Sequence, residues 1–282
     1  MSYSAKRIVI KTVCYVFLGI LFLICVVPIY MVFVNATRHT DDIAQSLSLI
    51  PGAYTAFNFT TLVDRAGINV VRGTFNSLFI AFTSTFLAVY FSLLTAYAIN
   101  IYNFRFKKQL WVLILGMTMV PGQLFILGFF QHMHGMGMLD SFVPLILPSI
   151  SSAAMVFFAK QYLDASLLPE LVQAARIDGA GELSIFNRII LPLAKPGAFT
   201  MAIFVFVGSW NNFMTPFFLI SPSNTEMHTL PLIVNSLNTN AFRRDFGLFY
   251  LGMAISIVPI IAVYAAFSKH IVSGISLGSV KE

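Results

Sequence analysis

The chain has 282 residues, of which 58% are hydrophobic, 15% aromatic and only 10% charged, with 29 Phe and a mean hydropathy of +0.84. Soluble domains carry about a quarter charged residues, so this composition excludes a soluble globule, a disordered chain, a collagen-like repeat and a disulfide scaffold; the missing solvent is lipid. The formal net charge of +6 would suit nucleic acid on a soluble protein, but here it is first divided between the two sides of a bilayer.

Apolar stretches without Asp, Glu, Lys or Arg predict six transmembrane helices, at about 12–35, 74–99, 110–130, 141–159, 197–219 and 246–268. Each supplies the roughly 20 residues that a crossing needs. The first has the basic lead of a signal peptide in Lys6, Arg7 and Lys11, but it is longer than a secretory apolar region and ends in Val34-Asn35-Ala36-Thr37, a poor cleavage site. Cys14 and Cys25 share that run, about 16 Å apart along a helix, too far to pair within it. A seventh uncharged stretch, Ile43–Val63, is not counted as a crossing, because Pro51-Gly52, Asn58 and scattered Ser and Thr break it into turns.

Six crossings put both termini on one side. That side collects twelve Lys and Arg against five acids, net +7, and the other holds five against six, net −1. Lys and Arg accumulate in cytoplasmic loops, so both termini are predicted to be cytoplasmic, and no nucleic-acid partner is needed to explain the basic balance. No acid, Lys or Arg lies deep in any predicted crossing, and His39, His132, His134, His228 and His270 fall at loops or helix ends. Proton-coupled carriers and membrane enzymes usually need an ionisable group at membrane depth. The driving energy is therefore expected from outside the bilayer.

Residues 160–195 form a charged segment between the fourth and fifth crossings, too polar to span. Pro169 suits a first helical position and Gly179 a helix stop, which predicts a helix of about two and a half turns between them. Gly179 and Gly181 bracket a turn. A second short helix follows, its apolar face predicted at Leu183, Phe186, Ile189 and Ile190, ending near Pro192. With small Ala174 and Ala175 expected on its outer surface, the pair makes a knob that another protein can approach closely.

These residues resemble a known motif. Gln173-Ala174-Ala175-x-x-Asp178-Gly179-Ala180, followed by Phe186-x-x-Ile189-x-Leu191-Pro192, is similar to the EAA loop of permease subunits in bacterial ATP-binding-cassette importers, with Gln173 where Glu is usual. The likeness extends to Asn76-Ser77, Ala96-Tyr97-Ala98, Trp210-Asn211-Asn212-Phe213 and the tail Gly274–Lys281. It points to the carbohydrate-uptake branch, and most closely to the smaller, six-helix subunit of the maltose type. The resemblance implies an all-α type I importer permease in a bacterial inner membrane, one transmembrane domain over 1–282. Its implied partners are a homologous second permease, two cytoplasmic ATPase subunits that bind ATP and Mg, an extracytoplasmic sugar-binding protein and membrane lipid. It implies that the knob seats in the ATPase. The chain has no Gly-Lys pair, and so no phosphate-cradling loop of its own; no bound cofactor and no covalent chemistry are expected of it.

Two further stretches are weighed against plainer readings. Gln131–Asp140 gathers His132, His134, Met133, Met136 and Met138 in the manner of a soft-metal site, but Met136-Gly-Met-Leu-Asp140 stands where the family has a Leu-Gly-Leu-Leu turn and Met replaces Leu readily, so no metal is predicted. Trp210, Asn211, Asn212 and Phe213 are expected mid-span, where buried amides need partners and aromatic faces suit sugar rings, which makes them candidates for a substrate path. The rival to the importer reading is a secondary carrier or facilitator for a neutral solute, which would not need the knob.

Overall fold

The computed structural model describes residues 3–65, 68–239 and 245–279, with side chains described from Arg7 to Asn238 and from Asp245 to Phe267 except at 66–67 and 240–244. No strand occurs among the described residues. In chain order the helices are α1 (Tyr3–Ala36), α2 (Thr40–Gln45), α3 (Thr55–Val63), α4 (Val70–Ile101), α5 (Lys107–Thr118), α6 (Ile126–Gly135), α7 (Val143–Ile146), α8 (Ala153–Ser166), α9 (Pro169–Ile177), α10 (Glu182–Ile185), α11 (Leu191–Leu193), α12 (Lys195–Trp210), α13 (Met214–Leu219), α14 (Leu230–Thr239) and α15 (Phe246–Ser279). Short 3-10 turns join some of them, and one π turn covers Phe186–Ile190.

Four runs are long and apolar enough to cross a bilayer: Arg7–Ala36, Val70–Ile101, Val143–Ser166 and Phe246–Phe267. Two bent pairs raise the number to six. Lys107–Thr118 and Gly122–Gly135 meet at 92°, and Glu182–Leu193 meets Lys195–Trp210 at 81°. The predicted third crossing, 110–130, is therefore not one straight helix: Pro121 fixes φ near −65° and lacks an N–H, and the chain turns there. The predicted fourth, 141–159, is interrupted by a 3-10 turn containing Pro148 and runs on to Ser166. The predicted fifth, 197–219, is α12, a break at 211–213, and α13. The uncharged stretch Ile43–Val63 holds no crossing, as expected, but is better ordered than a series of turns.

The described residues divide into two compact units, 1–70 with 233–257, and 71–232 with 258–282. In the first, α1 leaves its apolar side chains bare over most of its length, none of its best apolar window being buried within the chain, as a helix does whose neighbours are lipid or another subunit. Only its end is enclosed. Asn58 on α3, 2% exposed, donates to the carbonyls of Ala36 at 2.9 Å and Arg38 at 3.1 Å, and Arg38 reaches Asn35 Oδ1, the Asp42 carbonyl and Ser46 Oγ. Buried polar groups are retained only when so satisfied. Gly247 allows this close approach, since a Cβ there would lie 2.9 Å from Asn58 Nδ2.

In the second unit one core joins the end of α4 to α8 and to the segment after Pro169. It includes Leu93, Ala96, Tyr97, Ala159, Leu163, Val172, Ile185, Phe186 and Ile190. Gly197 is the point of closest packing: a Cβ there would sit 2.7 Å from the ring of Tyr162. At the opposite end of α4, Asn76 Nδ2 donates to the carbonyls of Glu226 and His228, both at 2.9 Å, and Ser77 Oγ accepts from the N–H of Leu230 at 2.9 Å.

Candidate functional site

The segment 169–194 begins as the sequence leads one to expect. Leu168 is extended and Pro169 opens α9, which ends at Ile177 after nine residues. Gly179 has φ +81°, a conformation that a Cβ makes costly. The Gly179 N–H donates to the Arg176 carbonyl and the Ala180 N–H to the Ala175 carbonyl, both at 3.0 Å. This is the Schellman arrangement, in which a glycine after the helix end lets two terminal carbonyls find donors. Gly181, at φ −70°, needs no such freedom and serves as the N-cap of α10.

The turn is closed by charge. Arg176 Nε lies 2.7 Å from Glu182 Oε1, and Tyr97 on α4 donates its hydroxyl to Glu182 Oε2 at 2.9 Å. The Arg176 guanidinium stands 5.5 Å over the ring of Tyr102, a cation–π distance. The hydrogen bond from Arg176, with lesser help from the Tyr102 and Tyr97 hydroxyls, holds the Glu182 carboxyl down to about 2, and the same carboxylate raises Arg176. A second tie links Tyr90 on α4 to Asn187 Oδ1 at 3.2 Å, while the rings of Tyr90 and Tyr97 pack on Phe186. The knob is thus clamped to the end of α4.

The sequence-predicted residues separate into two groups. Gln173, Ala174, Asp178, Gly179 and Pro192 are exposed. Ala175 and Phe186 are buried, and Ala180, Ile189 and Leu191 are partly buried against the same core. Ala175 was expected on the outer surface; it faces the core instead, because α9 turns its Val172–Ala175 edge toward α8 and α4. The second apolar face also differs from expectation. Leu183 is 65% exposed, and the buried set is Ile185, Phe186 and Ile190, since the π turn inserts one residue per turn and shifts the register of the face. Exposed Leu183, with Ile177 at 87% exposure and Leu168 and Leu171 beside the start of α9, leaves an apolar surface on an otherwise polar knob. The sequence reading missed Arg176, Glu182, Ile177 and the role of Tyr97. The one available signal was a pair of opposite charges six positions apart across a Gly turn.

The break at 211–213 departs further from expectation. Trp210 is the last residue of α12 rather than a mid-span residue; α12 is only about 24 Å long at 1.5 Å per residue. Its ring is 1% exposed and stacks on Phe206 at 6.1 Å and 10°, so it does not offer a free face. Asn211 is exposed. Asn212 accepts from the Thr215 N–H at 3.2 Å and donates to Thr215 Oγ1 at 3.1 Å, bracing the start of α13. Phe213 lies against Phe217, ring centroids 5.2 Å apart. The crevice beside Trp210, lined also by Ser77, Leu145 and Thr229, measures about 10 Å³, room for one water and not for a sugar. In the His- and Met-rich stretch, Met133 is buried and Met138 partly buried in one apolar cluster, while Asp140, at φ +52°, accepts from the Ser221 N–H at 2.6 Å. No group of three or more His, Cys, Asp or Glu capable of holding a metal occurs among the described residues. Of the tail motif, Val280 and Lys281 lie outside the described residues, as do the side chains from Ser268 on.

Four long apolar helices and two bent apolar pairs among the described residues, with a clamped, partly apolar knob, define a membrane transport subunit, and residues 74–277 match the family described as binding-protein-dependent transport system inner membrane component. The chain belongs to that family, whose members are multi-pass, non-enzymatic permeases that work with a separate ATPase and a substrate-binding protein. It is 32% identical over 283 residues to the arabinooligosaccharides transport system permease protein AraQ of Bacillus subtilis (strain 168), covering 99% of this chain and 98% of that one. It is 29% identical to the sn-glycerol-3-phosphate transport system permease protein UgpE of Yersinia enterocolitica, covering 93% and 94%. Its fold matches a chain from the crystal structure of a bacterial ABC transporter involved in the import of the acidic polysaccharide alginate, with a TM-score of 0.81, 20% identity, and 95% and 98% coverage. Membership decides for the importer and against the self-contained carrier.

Proposed function

We propose that this chain is the sugar-translocating permease of an ATP-driven importer, pairing with a homologous permease and seating residues 169–183 in one of two cytoplasmic ATPase subunits, which bind the ATP and Mg. The exposed apolar surface of a knob that is rigidly tied to α4 carries this reading. Solvent-facing Leu168, Ile177 and Leu183 serve no packing purpose within the chain, whereas the ties at Tyr90, Tyr97 and Phe186 transmit a push on the knob into a membrane helix. Both termini then lie in the cytoplasm, and an extracytoplasmic binding protein delivers the sugar to the opposite face. Lipid surrounds the bare length of α1 and the outer faces of α4 and α15. Within the chain, Asn211 and Phe213 are the remaining candidates for substrate contact at the break after Trp210.

Ile177→Asp tests the coupling. Ile177 is 87% exposed, so the substitution leaves thermal unfolding in detergent unchanged. It is expected to abolish co-purification of the ATPase and uptake of labelled oligosaccharide. Normal ATPase binding in this variant would remove the knob from the interface. For orientation, cysteines at Leu47 and Ile177, both largely exposed, are expected to label from opposite faces, Ile177 only from the cytoplasm.

A further inference from the structure

A cavity of about 380 Å³ lies among the ends of α4, α5 and α8, beside Pro169 at the start of the knob; its lining includes Ile99, Asn100, Lys107, Lys160, Leu163 and Asp164. The helices fix its depth. α4 ends at Ile101, α5 begins at Lys107 and α8 ends at Ser166, so the cavity sits where three apolar helices leave the hydrocarbon. One turn further in, the rings of Trp111 and Phe157 stack at 5.8 Å and 14°, and Trp concentrates at the headgroup level of a bilayer.

The charges in the lining do not cancel. Lys160 pairs with Asp164 and stands 4.9 Å over Trp111, its side chain only 18% exposed. Lys107 is half-buried in the same cavity and has no carboxylate partner among the described residues. Two cations against one anion leave one positive charge in excess. Lys107 and the neighbouring Pro169 are also the first residues of α5 and α9, of twelve and nine residues, and neither helix has a side-chain cap. Their positive dipole ends add to the excess, although Glu170 partly offsets the second.

We propose that this cavity binds a singly charged phosphate group at headgroup level, carried by an anionic phospholipid such as phosphatidylglycerol. A phosphodiester matches the surplus of one positive charge, whereas a phosphate dianion would place uncompensated negative charge beside Asp164. Ile99 and Leu163 supply apolar wall for the first methylenes, and Asn100 and Asp164 supply hydrogen-bonding groups for a headgroup hydroxyl. Basic pockets between membrane helices bind lipid headgroups in this way. The site does not depend on the cargo or on which side the helix ends face, so its failure leaves the importer reading intact.

The test uses the assembled transporter in nonionic detergent, with lipid retention measured by native mass spectrometry after addition of phosphatidylglycerol or zwitterionic phosphatidylcholine. The wild type is expected to retain phosphatidylglycerol selectively. Lys107→Gln is expected to lower that retention about five-fold, the effect of one lysine beside a headgroup, Lys107→Arg to restore it, and phosphatidylcholine to be unaffected throughout. Displacement of the lipid by millimolar inorganic phosphate would uphold the phosphate site and overturn lipid as its source. Equal phosphatidylglycerol retention by wild type and Lys107→Gln would overturn the site itself, and equal retention of the two lipids by the wild type, both of which carry a singly charged phosphodiester, would overturn the anionic phospholipid as its occupant.

Discussion

Pro169–Glu182 and Lys195–Trp210 follow each other closely in the chain and are held in place by opposite means. The first is built from local devices: a proline at the start, a glycine at φ +81°, two carbonyls satisfied across the turn, and an ion pair. A Cβ added at Gly179 meets nothing within 4 Å, so that glycine is required for its backbone conformation alone. The second is held by its neighbours. Gly197 has no unusual φ, but a Cβ there would meet the body of the Tyr162 ring at 2.7 Å, and Trp210 is almost wholly enclosed. Segments in water specify their own shape, whereas apolar helices with little polar signal take theirs from what packs on them.

The contrast can be broken most strongly at Trp210. Trp210→Ala removes an enclosed ring and leaves a cavity, at about 3–5 kcal/mol by analogy with other buried aromatics. Complex yield and uptake are expected to fall together in purified preparations. Normal yield with failed uptake would return Trp210 to the substrate path. Gly197→Val comes next: it forces the Tyr162 ring or the α12 backbone to shift, for about 1–3 kcal/mol of overpacking, seen as a lower unfolding temperature. Shortening the opposing side chain in a Gly197→Val, Tyr162→Leu double variant is expected to recover part of the loss.

Gly179→Val adds about 1–2 kcal/mol of backbone strain confined to the turn. Membrane insertion and pairing with the second permease are expected to survive while ATPase binding or coupled uptake is lost, with a milder defect for Gly179→Asn, which tolerates φ > 0 better. The smallest effect belongs to the ion pair, whose partners are more than a third exposed and screened by water. The Glu182 carboxyl is depressed from 4.5 to about 2, so its contribution is complete above pH 4.5 and is lost as the pH falls toward 2. Glu182→Gln is expected to abolish that acid dependence in a pH series of unfolding temperatures, with little change at neutral pH.

The same contrast explains how much was legible beforehand. The ends of α9 followed from Pro169 and Gly179, residue types with fixed conformational consequences, and the number of apolar stretches followed from hydropathy. Hydropathy is blind to bends. The 92° corner at Met119–Pro121 and the break after Trp210 lie in stretches without Asp, Glu, Lys or Arg, and their only local traces were Pro121-Gly122 at the first and Asn211-Asn212 at the second. Arg176 and Glu182 were individually visible but are six residues apart, outside the i, i+4 spacing that pairs charges on one helix; only the turn at Gly179 brings them together. Ala175 and Leu183 were assigned to the wrong sides because a helix of nine residues followed by a π turn has no stable period from which to read a face.

That π turn at Phe186–Ile190 also makes chain length, and not only residue identity, part of the specification. Five residues of π geometry sweep nearly the same angle as four of α geometry, so any length change that the turn does not absorb rotates everything before it by about 100° relative to α12, carrying Glu182 away from Tyr97. Substitutions in this stretch leave the count of residues intact and so leave the knob aimed. Insertions and deletions among relatives should therefore collect in the exposed stretch between α2 and α3 and be rare between Gly181 and Ala194.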